Sequence, residues 1–178
     1  AFQDASFTFK VFALADTAVY LHDSVLSYRQ DNEGSSVNSP NKVHCVNDEY
    51  AEIHRWIVED YAESHSSHDV AKLLKFANII KYDSYMWSYI RLNPKFYAEF
   101  LDRMAQEFRG ALEAGEFELT DLKPWKRANL KAIVDDPQKW LAESSDFAGA
   151  GAMGRAKHYA RVGGPGVVAA FVLDAIKK

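Results

Sequence analysis

The feature that most constrains the fold is a long stretch, residues 66–112, whose apolar residues recur at helical spacing. From Val70 to Trp87 these residues lie three or four positions apart, so they share one face of a helix. A second stripe with the same spacing runs from Tyr97 to Ala111. Residues 66–112 therefore predict two consecutive helices, each with an apolar face.

Capping residues mark where these two helices begin and where they are joined. Ser66 stands three residues before Asp69, an arrangement that satisfies the first backbone N–H groups of a helix. Asn93 followed by Pro94 ends the first helix and supplies the cap and the first position of the second. Because so short a connection turns the chain back on itself, we expect an antiparallel hairpin at the centre of the core.

The remaining segments mostly predict further helices. Their apolar spacing, caps and prolines indicate helices over about 16–30, 47–63, 120–134, 137–141, 150–161 and 167–177, with a polar loop at 31–40. Residues 1–13 are ambiguous, because their alternation suits a strand paired with 117–119, while a helix or an extended arm fits equally well. We predict an all-α, single-domain bundle of about six to eight helices over residues 1–178, around the hairpin at 66–112.

Composition limits the compartment and the class of protein. The 178 residues, 48% of them hydrophobic, suit one well-buried domain. The lone Cys45 excludes an intrachain disulfide framework and is compatible with a reducing compartment such as the cytoplasm. No apolar run approaches the roughly 20 residues that span a bilayer, so we expect a soluble chain without a membrane span. Ala1 does not begin a signal peptide, because no basic region followed by an apolar core is present.

Charge is distributed unevenly along the chain. Residues 1–122 carry a formal charge of −9 and residues 123–178 carry +5, which together give the net charge of −4. Halves of opposite charge attract each other between subunits, and a basic half also attracts a polyanion. Charged side chains that simply face solvent give the same distribution, so this alternative stays open.

Basic residues near aromatic residues in the second half predict a nucleic-acid surface. Arg and Lys neutralise phosphates, while aromatic rings such as those of Trp125 and Tyr159 stack on unpaired bases. Two amphipathic helices with ordinary basic outer faces would produce the same pattern. The candidate nucleic-acid-binding residues are Lys123, Lys126, Arg127, Lys131, Arg155, Lys157 and Arg161.

Both ends of the chain predict docking arms. Residues 167–176 are apolar at every position except Asp174, and a helix that is apolar on all sides must be buried on all sides. At a chain end this means insertion into the core or contact with another subunit, and glycines at 163, 164 and 166 would permit the second. We therefore predict docking arms at 1–13 and 163–178. The candidate self-association residues are Phe7, Phe9, Phe171, Leu173 and Ile176.

Motifs of enzymes and metal proteins are weak in this chain. Residues 149–154 have the pattern G-x-G-x-x-G, which is typical of dinucleotide sites when a strand precedes it. No strand is predicted before these residues. Small residues that allow close helix contact or form a hinge therefore explain the pattern better. The residues with metal-ligand chemistry lack a recognisable ligand spacing, and Cys45 has no base assigned to it by sequence. They are His44, Cys45, His54, His65 and His68.

The combination favours a non-enzymatic, self-associating structural protein, such as a coat or nucleocapsid-type subunit that packages single-stranded nucleic acid. Homo-oligomerisation and single-stranded nucleic acid are then the expected interactions, with no cofactor, no metal and no catalytic residue assigned. One alternative is a monomeric helical adaptor or inhibitor that presents Tyr50, Trp56 and Tyr61 to a basic protein. Another is a helical enzyme or metal-binding protein that uses the His/Cys group.

Overall fold

The computed structural model describes residues 3–22, 41, 45–144 and 147–176 of the chain. Within these residues the backbone forms helices and no β-strand, so the all-α class predicted from the sequence is confirmed. The α-helices are α1 (Gln3–Leu14), α2 (Val46–Glu59), α3 (Ser67–Tyr89), α4 (Tyr97–Glu113), α5 (Pro124–Asp135), α6 (Pro137–Glu143) and α7 (Ala152–Ile176). Short 3₁₀ turns join several of them, at Tyr61–Glu63, Pro94–Phe96, Leu119–Asp121 and Phe147–Gly149.

Local hydrogen bonds explain where several helices begin. The side chains of Ser66, Asn93 and Asp136 each accept a bond from a backbone N–H two or three residues further on. These bonds satisfy donors that would otherwise have no partner in the first turn of a helix. The sequence predicts all three caps, that of Asp136 because it precedes a proline as Asn93 does, and all three are confirmed.

Gly115 ends α4 by a mechanism that needs glycine. Its φ of 69° lies in the left-handed region, which residues with a Cβ atom rarely adopt. In this conformation the N–H groups of Gly115 and Glu116 bond to the carbonyls of Leu112 and Ala111, respectively. This Schellman arrangement satisfies the last carbonyl groups of α4 and turns the chain towards α5.

The core is built largely from α4 and the aromatic face of α3. Leu101, Met104 and Phe108 on α4 are fully buried, as the predicted stripe required. Tyr85 on α3 contacts the ring of Phe108 edge-on at a centroid distance of 6.1 Å, so the two helices touch. The most extensive helix pairs are α5 with α7 and α2 with α3. The central position of a hairpin at 66–112 therefore stays a prediction.

A buried polar network joins α3, α5, α6 and α7. Asn129 Oδ1 accepts from Trp140 Nε1 at 3.0 Å and lies 2.6 Å from His158 Nε2, while Asn129 Nδ2 donates to Tyr82 Oη at 3.0 Å. Because Asn129 Oδ1 is an acceptor, Nε2 of His158 carries a proton and donates to it, and Nδ1 of His158 lies 3.0 Å from Ser144 Oγ. Ser144 has a relative exposure of 0%, so this Ser–His–Asn arrangement has no access to a substrate and acts as a structural junction.

Some predicted helix boundaries are wrong. Residues 15–22 contain no helix, although one was predicted from Asp16; positions 23–40, including the predicted loop, lie outside the described residues. The ambiguous N-terminus forms α1 rather than a strand. Asn47, at the start of the predicted helix 47–63, was expected to be its N-cap but lies inside α2. Thr120 and Asp121, expected to cap the predicted helix 120–134, belong to a 3₁₀ turn before α5.

The last helix bends at the glycine cluster. Gly164 has φ 75° and ψ −174°, a conformation almost restricted to glycine, and Pro165 follows it. Just before the bend, α7 lies so close to α5 that a Cβ atom at Gly163 would stand 2.9 Å from Cβ of Ala128. A turn was predicted at residues 163–166, and the bend at Gly164 lies there. The close contact with α5 at Gly163 was not predicted, because close helix packing was expected at residues 149–154. The second half of α7 is not fully buried, because only one of its sides packs on α5.

Candidate functional site

The predicted nucleic-acid residues lie on two helices that pack against each other, α5 and α7. Trp125 contacts Tyr159 and Phe171 edge-on, at centroid distances of 5.4 and 5.7 Å, so these rings stabilise the helix contact. Both aromatic residues that were predicted to stack on bases are therefore engaged inside the protein.

Ion pairs divide the seven basic residues into two groups. Lys126 bonds to Asp83 at 2.5 Å, Lys131 bonds to Asp135 at 2.5 Å, and Lys123 pairs with Asp174. Among the described residues, no carboxylate pairs with the other four, which are Arg127, Arg155, Lys157 and Arg161. Of these, Lys157 and Arg161 are exposed, and Arg127 is half-buried.

Three of the five predicted self-association residues face outwards. Phe7 is 70% exposed, Leu173 59% and Ile176 75%. The other two are used within the chain: Phe9 is buried against Trp56, and Phe171 packs on Trp125 and Tyr159. Further exposed apolar residues occur on the same helices or just after α1: Val11, Phe12, Leu14, Val19, Tyr20, Leu21, Met153 and Val172.

The His/Cys residues do not form a common centre in the part of the chain that the structure describes. No group of three His, Cys, Asp or Glu side chains there is close enough to hold a metal ion, and His44 lies outside the described residues. His65 stacks on Tyr61 at a centroid distance of 3.6 Å. Cys45 is half-buried immediately before α2, and His54 pairs with Glu116 instead of a metal.

The aromatic face proposed for an adaptor is mostly interior. Tyr50 and Trp56 are buried on α2, and Tyr61 is half-buried beside Trp56. These rings therefore contribute to the core rather than to a surface open to a basic partner. The G-x-G-x-x-G segment runs from a 3₁₀ turn into α7, and α6 rather than a strand precedes it.

A cleft between α2, α3 and α4 was not predicted from the sequence. It encloses about 370 Å³. Apolar atoms of Tyr50, Leu74 and Ala111 line part of its wall, and Gly110 on α4 leaves another part open. The polar side chains that reach the cleft are His54, Asn78, Lys81, Gln106, Glu107 and Glu116.

Two ion pairs lie in this cleft, His54 with Glu116 and Lys81 with Glu107. His54 Nε2 is 2.6 Å from Glu116 Oε1, and Asn78 Nδ2 donates to Glu116 Oε2 at 3.2 Å. Lys81 Nζ is 2.6 Å from Glu107 Oε2, which also accepts from Tyr85 Oη at 2.6 Å. The cleft therefore presents both positive and negative groups from three helices.

The charges in the cleft shift one another's ionisation. The hydrogen bond with Glu116 raises the pKa of His54, although partial burial opposes this shift. Burial alone would raise the pKa of Glu116, but the hydrogen bonds and charge of His54 and Asn78 outweigh it, and the pKa is lowered. Burial and the Glu107 carboxylate raise the pKa of Tyr85, so its hydroxyl stays a hydrogen-bond donor.

Comparison with family models, curated proteins and solved structures gives no significant match. Of the six polar side chains in the cleft, the sequence pointed only to His54, and as a metal ligand. No sequence signal indicates its partner, because Glu116 lies 62 positions away along the chain.

Proposed function

We propose that this chain is a non-enzymatic structural subunit that associates with further copies of itself through its two terminal helices. The observation that carries the proposal is the outward-facing apolar surface on α1 and on the second half of α7. Phe12 is 68% exposed on α1, and Leu173 and Ile176 are similarly exposed on α7. Apolar surface concentrated in this way is typical of protein–protein contacts.

The uneven charge of the chain supports a second copy as the partner. An acidic first part and a basic last part complement each other when one copy meets the next head to tail. A contact between two different faces repeats from copy to copy, so it produces a ring or a filament rather than a closed dimer. This is the geometry that a coat-type subunit requires.

A lipid bilayer is the competing occupant for the surface on α7. Among the described helices, α7 alone is long and apolar enough to cross a membrane by length and composition, with a mean hydropathy of 1.3. However, Arg155, Lys157 and Arg161 lie in its first half, and the bend at Gly164 interrupts it. Residues 165–176 are about 18 Å long as a helix, well short of the roughly 30 Å hydrocarbon core.

Sedimentation velocity of matched variants tests self-association. Replacing Phe7 and Phe12 with Ser, or Leu173 and Ile176 with Ser, should shift wild-type oligomers towards the monomer. Val58→Ser is the control, because Val58 is an exposed apolar residue outside both terminal helices. Equal sedimentation of all variants would overturn the proposal, as would flotation of the wild type with lipid vesicles in place of oligomers.

A second candidate function, nucleic-acid packaging, is favoured by the packing of α5 against α7. This contact places all seven predicted basic residues on adjacent helices, and four of them have no carboxylate partner among the described residues. Modest affinity per copy is multiplied when many copies bind one strand. Self-association and packaging are therefore compatible functions of the same surface arrangement.

Retention of a single-stranded oligonucleotide tests the second candidate. Arg127→Ala with Lys157→Ala should weaken retention and lower the slope of log affinity against log salt by about 1.4, that is about 0.7 for each lost phosphate contact on a single strand. Lys123→Ala with Lys131→Ala is the matched control, because both lysines are already paired with aspartates. Unchanged retention in the first double variant would exclude these residues as the binding surface.

A further inference from the structure

The cleft between α2, α3 and α4 has the size and shape of a ligand site. Its volume of about 370 Å³ lies within the range of pockets that hold small molecules. Apart from Glu116, which follows the end of α4, the polar groups in it come from three helices, and the buried Leu101, Met104 and Phe108 anchor α4 in the core. Rigid helices hold such groups in place better than loops do.

Gly110 leaves part of one wall of the cleft without a side chain. It lies within α4, where glycine is a poorer helix former than alanine. A Cβ atom added at Gly110 would meet no atom within 4 Å, so close packing does not explain the glycine. An open cleft at this position does explain it, because any larger side chain would extend into the space.

Two of the charged groups in the cleft, Lys81 and Glu107, retain unused hydrogen-bonding capacity. In the described part of the chain, the Lys81 ammonium bonds only to Glu107, although it has three N–H groups. Glu107 Oε1 accepts a single bond, from Arg103 Nε at 2.9 Å. The Lys81 side chain is only 12% exposed, so its attraction for a ligand is less screened by water than that of a surface lysine.

We propose that this cleft binds a small zwitterion with an apolar body, of the α-amino-acid class. The ligand carboxylate would bond to Lys81 and His54, and the ammonium group to Glu107 and Glu116. Its apolar part would lie against the wall that contains Tyr50, Leu74 and Ala111. A simple anion would meet two carboxylates and a simple cation would meet Lys81 and His54, so only a ligand with both charges matches the whole cleft.

Calorimetric titration with the proteinogenic amino acids tests this assignment, and it is independent of self-association. For the best binder, the analogues that lack either the amino group or the carboxyl group should bind at least about tenfold more weakly, since each loses the hydrogen bonds that the missing group would make to the charged side chains of the cleft. Analogues that bind as tightly as the amino acid would overturn the zwitterion assignment. Absence of binding across the whole panel would overturn the site.

Filling the cleft provides the structural control. Gly110→Leu should abolish binding, while Glu113→Leu introduces the same side chain on α4 outside the cleft and should leave binding unchanged. If Gly110→Leu does not fold, amide chemical shifts of the wild type decide. The proposal requires perturbations at His54, Lys81 and Gly110 on titration, and perturbations confined to other surfaces would contradict it.

Discussion

At the scale of single residues, Asn129 connects more of the molecule than its size suggests. Its amide group bonds to Tyr82, Trp140 and His158, which lie on three other helices. Buried polar groups are expensive to leave without partners, so a residue that satisfies three of them fixes the relative positions of the helices that carry them. The network thereby specifies how α5, α6 and α7 come together.

Asn129→Ala should therefore destabilise the fold strongly. The substitution leaves three buried groups without their partner and should lower the free energy of unfolding by about 3 kcal/mol or more. Chemical denaturation measures the change. Asn41→Ala is the control, because Asn41 is exposed and its replacement should be close to neutral. A similar effect for both variants would show that the network contributes little.

The His54–Glu116 pair predicts a pH dependence of stability. The pKa of His54 is raised above 6.5, so its contribution is complete below that value and is lost as the pH rises through the folded-state pKa. The pKa of Glu116 is lowered below 4.5, so its contribution is present above that value and is lost as the pH falls through the folded-state pKa. The pair thus stabilises the fold most between these two pH values.

Comparison of the wild type with His54→Gln in denaturation experiments measures this contribution. The wild type should have the larger stability advantage at about pH 5.5, and this advantage should shrink as the pH rises through the folded-state pKa of His54. Because His54 is nearly half exposed, the advantage should stay below about 1 kcal/mol. An advantage that grows towards high pH would contradict the ion pair.

At the scale of helices, local signals were predictive and long-range ones were absent. The side chains of Ser66, Asn93 and Asp136 bond to backbone groups two or three residues away, so a short stretch of sequence is enough to predict that they cap helices. The apolar stripe predicted on α4 is also confirmed, because Leu101, Met104 and Phe108 are fully buried. His54 and Glu116 lie 62 positions apart, and no pattern along the chain indicates that such residues meet. This is why the cleft could not be predicted.

The orientation of α3 shows a different limit of sequence reasoning. Apolar residues occur on most sides of this helix, so their spacing does not decide which side faces the core. The predicted stripe ended at Trp87, which is partly exposed, whereas Tyr82, Tyr85 and Tyr89 are fully buried. Packing against α2 and α4 selects the tyrosine face, and this information lies in the partner helices.

The attachment of α1 gives a prediction at the same scale. Phe9 is buried against Trp56 and stacks on Phe76, whereas Phe7 on the same helix is exposed. Phe9→Ala should therefore release α1, with a loss of up to about 3 kcal/mol and faster proteolysis at the N-terminus. In the monomer at low concentration, Phe7→Ala should leave both properties unchanged, because Phe7 faces outwards there. Equal protease sensitivity of the two variants would mean that Phe9 does not hold α1.

At the scale of the whole molecule, the two ends differ from the centre. The buried side chains of α3 and α4 and the Asn129 network make a well-packed interior, while α1 and the end of α7 leave apolar side chains facing outwards. A monomer would expose this surface to water at a cost that rises with its area. Association of copies through these two helices removes the cost and explains why the exposed apolar residues are concentrated there.

The most direct measurement is the light-scattering mass of the wild-type chain across a wide range of concentration, with absorbance at the nucleic-acid and protein wavelengths recorded through the same peak. The account predicts masses that are multiples of 20.1 kDa and that increase with concentration. Excess nucleic-acid absorbance that disappears at high salt would add support for packaging. A constant mass of 20.1 kDa at every concentration would contradict the central claim.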